Sequence, residues 1–433
     1  MRVGGLLKRS NHSARGARLS DSFRVAIDSF WLLLSNGLSM VLTFLFWIFV
    51  SRSVAPSLVG ELGSFLSLSI FLSSLGTLGL QTGTIRFLHQ FPSKKSAIRI
   101  FHVMGLSASV GASVLGFITV SLIGSPSSIG FSGVLSAFEF IVVTGFATLS
   151  VLIDSASLSI GKSSMIAARS TICGATRLLL ILILGPSQQM ILISWIVGSM
   201  VSVIIGYLTI SFRQPVEIIP VERSRDGQLI REVISFSLIS AVGSFFWGLP
   251  QGLMPYFASS ILSPESAAFF YVATTIASIP IMVIQGVSMS SLRHVSQSER
   301  VRPRFFRNLL IAELIVSFAS ILGVLIFGER LLTLFGVTYS IESFVPLIIL
   351  VSSYPLLCVI SVVATFFMMT KEVRKVNLIY IPSSISILLA GLLIMGHFGV
   401  PGISLAYLIG YGVGFGVAAG LYRARRKAVF NAE

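Results

Sequence analysis

The chain has 433 residues, 54% of them hydrophobic and only 11% charged, with a mean hydropathy of +0.92, which excludes an ordinary soluble domain. Its net charge of +15 does not imply nucleic acid. The basic residues lie in short loops beside apolar stretches, where they suit topology signals and anionic inner-leaflet lipid, and no RNA- or DNA-reading motif accompanies them.

The first 25 residues are a basic terminus carrying Arg2, Lys8, Arg9, Arg15, Arg18 and Arg24. The apolar run after them is too long for a signal-peptide core and has no small-residue cleavage site, so it reads as a retained first span. A crossing needs about 20 mostly apolar residues. Candidate stretches are 26–50, 61–84, 100–124, 132–153, 166–185, 190–212, 234–259, 267–291, 308–327, 344–368, 377–396 and 402–421. All of the 31 Lys and Arg residues except Arg52, Arg177 and Arg330 fall in alternate gaps: the N-terminus, 85–99, 154–165 with Arg169, 213–233, 292–307, 369–376 and the tail. Because Lys and Arg are retained on the cytoplasmic side during insertion, this alternation predicts an all-α polytopic membrane protein of about 12 transmembrane helices. Both termini are expected to be cytoplasmic, in the cytoplasmic (inner) membrane.

The longest internal connection, 213–233, holds Pro215, Pro220 and a mixed run of charges, as a linker between halves would. It divides an N-terminal six-helix bundle, 26–212, from a C-terminal one, 234–422, followed by a tail, 423–433. Ser29-Phe30 and Gly37 match Ser235-Phe236 and Gly243; Pro56 matches Pro264 and Arg86 matches Arg293, all at a nearly constant offset. An even number of spans per repeat makes the two bundles parallel pseudo-symmetric copies about an axis along the membrane normal. Two facing bundles suggest a central cavity and alternating access.

Catalytic constellations are hard to find. Gly161-Lys162-Ser163-Ser164 resembles the end of a phosphate loop, but the position of the required first glycine is Ala156, and the strand-to-helix context is missing. His12, His89, His102, His294 and His397 lack metal-ligand spacing. Cys173 and Cys358 lie within apolar stretches, where buried packing is expected rather than a disulfide. The reading is a non-enzyme with no cofactor and no metal.

Ionisable residues inside the bilayer are then the functional pointers, since a charge there is costly. Glu139 in the fourth span and Arg177 in the fifth lie at similar depths, about 10 and 12 Å from the external face at 1.5 Å per residue. They read either as a cationic site tuned by a carboxylate or as a structural ion pair. Arg24 and Asp28 sit one turn apart at the start of the first span, and Arg52 and Glu61 at the external mouth between spans one and two. These four read as headgroup-facing charges or as ligand, coupling or charge-pair residues. Arg52 defies the positive-inside bias, which suggests pairing with Glu61 or contact with an anionic ligand. Arg86 and Arg293 read mainly as topology anchors. Pro250 and Pro255 in the seventh span predict a bent helix, read as a gate or as static curvature. Gln81, Gln251 and Gln285 offer neutral hydrogen bonds to a polar ligand or between helices.

The stretch Ser51-Arg52-Ser53-Val54-Ala55-Pro56, then Gly60, Leu75-Gly76-Thr77-Leu78-Gly79-Leu80 and Thr84-Ile85-Arg86 resembles the opening helices of the polysaccharide-transporter, or O-antigen-flippase-like, family. That family belongs to the multidrug/oligosaccharidyl-lipid/polysaccharide exporter superfamily. The resemblance implies a V-shaped pair of six-helix bundles that flips a polyprenyl-pyrophosphate-linked oligosaccharide to the outer leaflet. Its partners would be the lipid-linked oligosaccharide, the bilayer and a polysaccharide polymerase or other assembly proteins. Carried to matching positions, it marks Arg24 and Arg52 as pyrophosphate candidates; Arg177 joins them on burial alone. Spans seven and eight contain no buried Lys or Arg, so the cationic lining is lopsided toward the first bundle. A cation-coupled multidrug-type exporter, with Glu139 or Asp28 carrying the ion, is the alternative. A membrane glycosyltransferase or polymerase would need a long external loop with catalytic residues.

Overall fold

A computed structural model describes residues 37–123, 134–212, 223–296, 303–370 and 372–430; Arg24 and Asp28 lie outside these. The described chain is a succession of helices. In the first bundle they are α1 (Gly37–Ser53), α2 (Pro56–Gly76), α3 (Leu80–Phe87), α4 (Lys94–Ile123), α5 (Val134–Ser159), α6 (Ser163–Leu184) and α7 (Gln188–Phe212). In the second they are α8 (Arg223–Phe257), α9 (Pro264–Ser296), α10 (Pro303–Thr333), α11 (Val337–Ser352), α12 (Tyr354–Met369) and α13 (Val373–Phe430). The described helices fall on all twelve expected spans, the first from Gly37 onward, with α2/α3 and α11/α12 each forming one interrupted crossing and α13 two crossings that meet at Gly399 (φ +61°). The chain is an all-α, multi-pass membrane protein. Large apolar side chains face outward along it, among them Leu115, Leu122, Ile183 and Leu393; in water so much exposed apolar surface would be a liability, and in lipid it is the solvation.

The boundaries differ from expectation where apolarity and helicity part. Helix α8 starts at Arg223, inside the stretch read as a linker, because a charged, amphipathic run can be helical without being buried in lipid. The second crossing starts at Pro56, with proline in the first turn. Pro264 opens α9 in the same way, so the repeat-related prolines occupy equivalent helix starts, where a missing N–H costs nothing. The second crossing breaks at Leu78 (φ +49°) and Gly79 (φ +68°). Gly79 packs so closely on α8 that a Cβ there would run into the Ser237 carbonyl oxygen.

The two bundles meet chiefly along α2 and α3 against α8 and α9. At the end carrying Pro56, Gly60 lies on the backbone of Pro264 and Ala268, and Ser64 Oγ donates to the Pro255 carbonyl at 2.9 Å. Midway, the Phe71 and Phe245 rings meet tilted by 38°, with centroids 5.4 Å apart. At the end carrying Arg86, the guanidinium lies 4.6 Å from the Phe236 ring centroid.

Helix α8 shows how the fold accommodates its prolines. Pro250 has no N–H, which frees the Phe246 carbonyl four residues back. Ser384 Oγ on α13 donates to that carbonyl, as a bilayer requires of any orphaned backbone group. Past Pro255 the helix widens into a π turn over Ala258–Leu262. Ser384→Ala should therefore lower stability by about 1–3 kcal/mol, the cost of an unsatisfied buried acceptor; thermal unfolding of the purified protein measures it.

Candidate functional site

Several of the polar residues singled out in the sequence lie near the contact between the bundles, beside a set of aromatic rings. Arg177, on α6, stacks over the Trp195 ring of α7, 3.8 Å from its centroid, and donates from Nη2 to Ser199 Oγ at 2.7 Å. Gly198 makes the room: a Cβ there would stand 2.6 Å from Arg177 Cγ. The Arg177 Nε–H is buried without a partner. Trp195 lies edge-on to Phe46, Phe46 edge-on to Trp47, and Trp47 4.9 Å from Tyr271 on α9. Tyr271 is close enough to Arg177 for the two to interact electrostatically. The aromatic box is thus closed on one side by the second bundle.

Glu139 is half-buried on α5, and no ion pair joins it to Arg177 among the described residues. Equal depth on successive helices does not make a contact; α6 turns its cation toward α7, where an aromatic face and a hydroxyl receive it. Among the described residues Arg177 pairs with no carboxylate.

Arg52 also does something other than meet Glu61. Its Nε donates to the Leu334 carbonyl at 2.6 Å and its Nη2 to the Thr333 carbonyl at 3.3 Å. It caps the C-terminal end of α10, where unpaired carbonyls and the helix dipole both favour a cation. Ser51 adds a bond to the Phe335 carbonyl at 3.1 Å. These contacts tie α1 of the first bundle to the second. The charged group that acts on Glu61 is instead the carboxylate of Glu265.

Gln81 is half-buried on α3, near the Arg86 end of the seam, and Gln251 is exposed on α8. Gln251 lines a small cleft with Trp247, Pro250, Ser383, Ser384, Tyr407 and Tyr411. Pro250 and Pro255 are buried on the same helix. Among the described residues no group of three His, Cys, Asp or Glu side chains could hold a metal ion, and both cysteines are free.

Two buried charge sites escaped the sequence reading. Arg169, 7% exposed, pairs with Asp154 at 2.5 Å and also donates to Ser202 Oγ at 2.7 Å and to the Ser150 carbonyl at 3.2 Å. The turn at Gly161 (φ +72°) lies almost midway between the two residues, so an antiparallel α5–α6 hairpin brings them level; that symmetry was the available signal. Glu313 is fully buried in α10, only a few residues into the ninth span, and the rule that picked out Glu139 applies to it equally.

The sequence profile of the polysaccharide biosynthesis protein family matches residues 25–293. No curated protein matches the chain. Among solved structures it is similar to an inward-facing multidrug resistance MATE family transporter of the MOP superfamily (13% identity, 92% of this chain and 99% of that one, TM-score 0.68). It is also similar to the lipid II flippase MurJ in an inward closed conformation (13% identity, 90% and 87%, TM-score 0.67) and to a MATE transporter in a bent conformation (15% identity, 94% and 96%, TM-score 0.62). At such identities the likeness is one of fold: two six-helix lobes across a membrane.

Proposed function

Because this chain belongs to the polysaccharide biosynthesis protein family, we propose that it is a flippase carrying a polyprenyl-pyrophosphate-linked oligosaccharide across the cytoplasmic membrane for surface polysaccharide assembly. The observation that carries the substrate reading is Arg177. A half-buried guanidinium, fixed by Trp195 and Ser199 and without a carboxylate partner among the described residues, is preorganised for an anion, and arginine holds phosphate oxygens in fork geometry without losing its charge. Both termini would be cytoplasmic, which puts the Pro56 end of the seam outside and the Arg86 end inside, and the lipid tail would stay in the bilayer while the bundles rock between the two faces. A polymerase or other assembly protein would receive the product. Arg52, bonded to the end of α10, would act by holding the external contact and not by meeting the ligand directly.

A multidrug-type exporter is the second reading, favoured by the likeness to MATE transporters. Mass spectrometry of polyprenyl-linked glycans in cells with and without the gene separates the two. Accumulation of a finished lipid-linked oligosaccharide on the cytoplasmic face, with surface glycan lost, is the expected result. Unchanged pools and unchanged surface glycan would sink the flippase reading, and a truncated intermediate would point to a transferase. Within the same assay, Arg177→Gln should slow flipping on the order of 10- to 100-fold, the value of one or two charge-assisted hydrogen bonds, while the protein still inserts. Normal flipping by Arg177→Gln would remove the cationic site, and normal flipping by Arg52→Ala would show that the external contact it makes is not needed.

A further inference from the structure

The second bundle hides a carboxylate that the proposed substrate path does not use. Glu313, on α10, is 0% exposed. Its Oε1 accepts from Ser288 Oγ on α9 at 2.5 Å and weakly from Ser361 Oγ on α12 at 3.5 Å, and those two hydroxyls are 2.9 Å apart. Among the described residues its Oε2 has no hydrogen-bond partner, and the buried hydroxyl of Ser317, one turn further along the same helix face, lies beside the Cys358 thiol. Among the described residues, the titratable groups facing Glu313 are Cys358 on α12, whose thiol donates to the Glu313 carbonyl at 3.3 Å, and Tyr380 on α13; from α9 the Ser288 hydroxyl reaches it. No Lys or Arg pairs with it among the described residues.

An ionised carboxylate in this place would be stripped of water with no cation in exchange, at a cost of several kcal/mol. The hydrogen bonds are divided unequally. One oxygen accepts from hydroxyls on two other helices and the other accepts from nothing, as expected when Oε1 is the carbonyl oxygen of an acid and Oε2 carries its proton. The three helices that meet here, α9, α10 and α12, include one that lines the seam.

We propose that Glu313 is a binding site for one exchangeable proton, enclosed where α9, α10 and α12 pack together. On release the O–H bond breaks heterolytically, the electron pair stays on the carboxylate, and the proton passes to water admitted between the helices. The site is independent of which substrate the seam carries.

Infrared difference spectroscopy on the full-length protein in lipid bilayers tests this without any transport assay. A carbonyl-stretch band of a protonated carboxyl is expected at neutral pH, diminishing as the pH is raised, and lost in Glu313→Gln. In Ser288→Ala with Ser361→Ala the band should persist and move to higher frequency, because the hydrogen bonds to Oε1 are gone; this second variant keeps the test open if Glu313→Gln does not fold. The proposal is overturned if the band is missing in the native protein, remains in a folded Glu313→Gln, or does not move in the double variant. A band that vanishes on adding sodium at constant pH would also overturn it and assign the site to a metal cation instead.

Discussion

Asp154→Ala is expected to destabilise the protein by about 3–5 kcal/mol, the usual cost of leaving a buried charge without its partner. Arg169→Met is expected to cost distinctly less. The asymmetry follows from the two side chains' surroundings. Arg169 is 7% exposed and Asp154 35%. Without Asp154, the guanidinium retains only the Ser202 hydroxyl and the Ser150 carbonyl, neither of which carries a countercharge, and an arginine cannot escape by losing its proton. Without Arg169, the carboxyl has open surface through which to hydrate or take up a proton. The double variant Asp154→Ala with Arg169→Met should recover much of the loss, since an apolar pair of similar volume can replace a buried ion pair at little cost. Thermal unfolding of the three variants in one detergent measures the order. Equal losses in both single variants would mean that the pair works through shape and not through charge.

The number of crossings was legible in the sequence because the bilayer imposes two independent signals, apolar length and the side on which cations are kept. Helix boundaries were not, since apolarity reports lipid contact and α8 goes on past it as far as Arg223. Breaks within spans were hidden as well: Thr77-Leu78-Gly79 is as apolar as its neighbours, and only the left-handed backbone at Leu78 and Gly79 ends α2 there. At the seam, the sequence pointed to Arg177 but supplied the wrong neighbour. Glu139 was plausible by depth, whereas Trp195 and Tyr271 come from elements whose rotation no periodicity fixes. Arg52 was misleading for a similar reason. Its partners are backbone carbonyls at the end of α10, and a backbone acceptor leaves no mark in the amino-acid code.

Gly60→Leu should abolish transport while leaving insertion intact. At the Pro56 end of the seam, α2 and α9 approach with almost no side chain between them. A Cβ on Gly60 would run into the Pro264 carbonyl oxygen and stand 2.8 Å from the Ala268 nitrogen, and one on Gly63 would stand 2.7 Å from the Tyr271 ring. The obstacle at Gly60 is backbone in the first turn of a helix begun by proline, so it cannot swing aside as a flexible side chain would. The proposed alternating access requires this end to close and open, with the two states separated by only a few kcal/mol. About 5.5 kcal/mol is enough to turn a 99:1 preference into its opposite, and a leucine forced between two helix backbones exceeds it. The variant should stay parted at this end. Spin labels at Ser57 on α2 and Ile261 on the π turn should then report a longer distance than in the native protein, and flipping should fall to background. Gly63→Ala, which meets a side chain and not backbone, should have the milder effect on both readouts. An unchanged distance together with normal flipping in Gly60→Leu would show that the contact between Gly60 and Pro264 is no part of a moving gate.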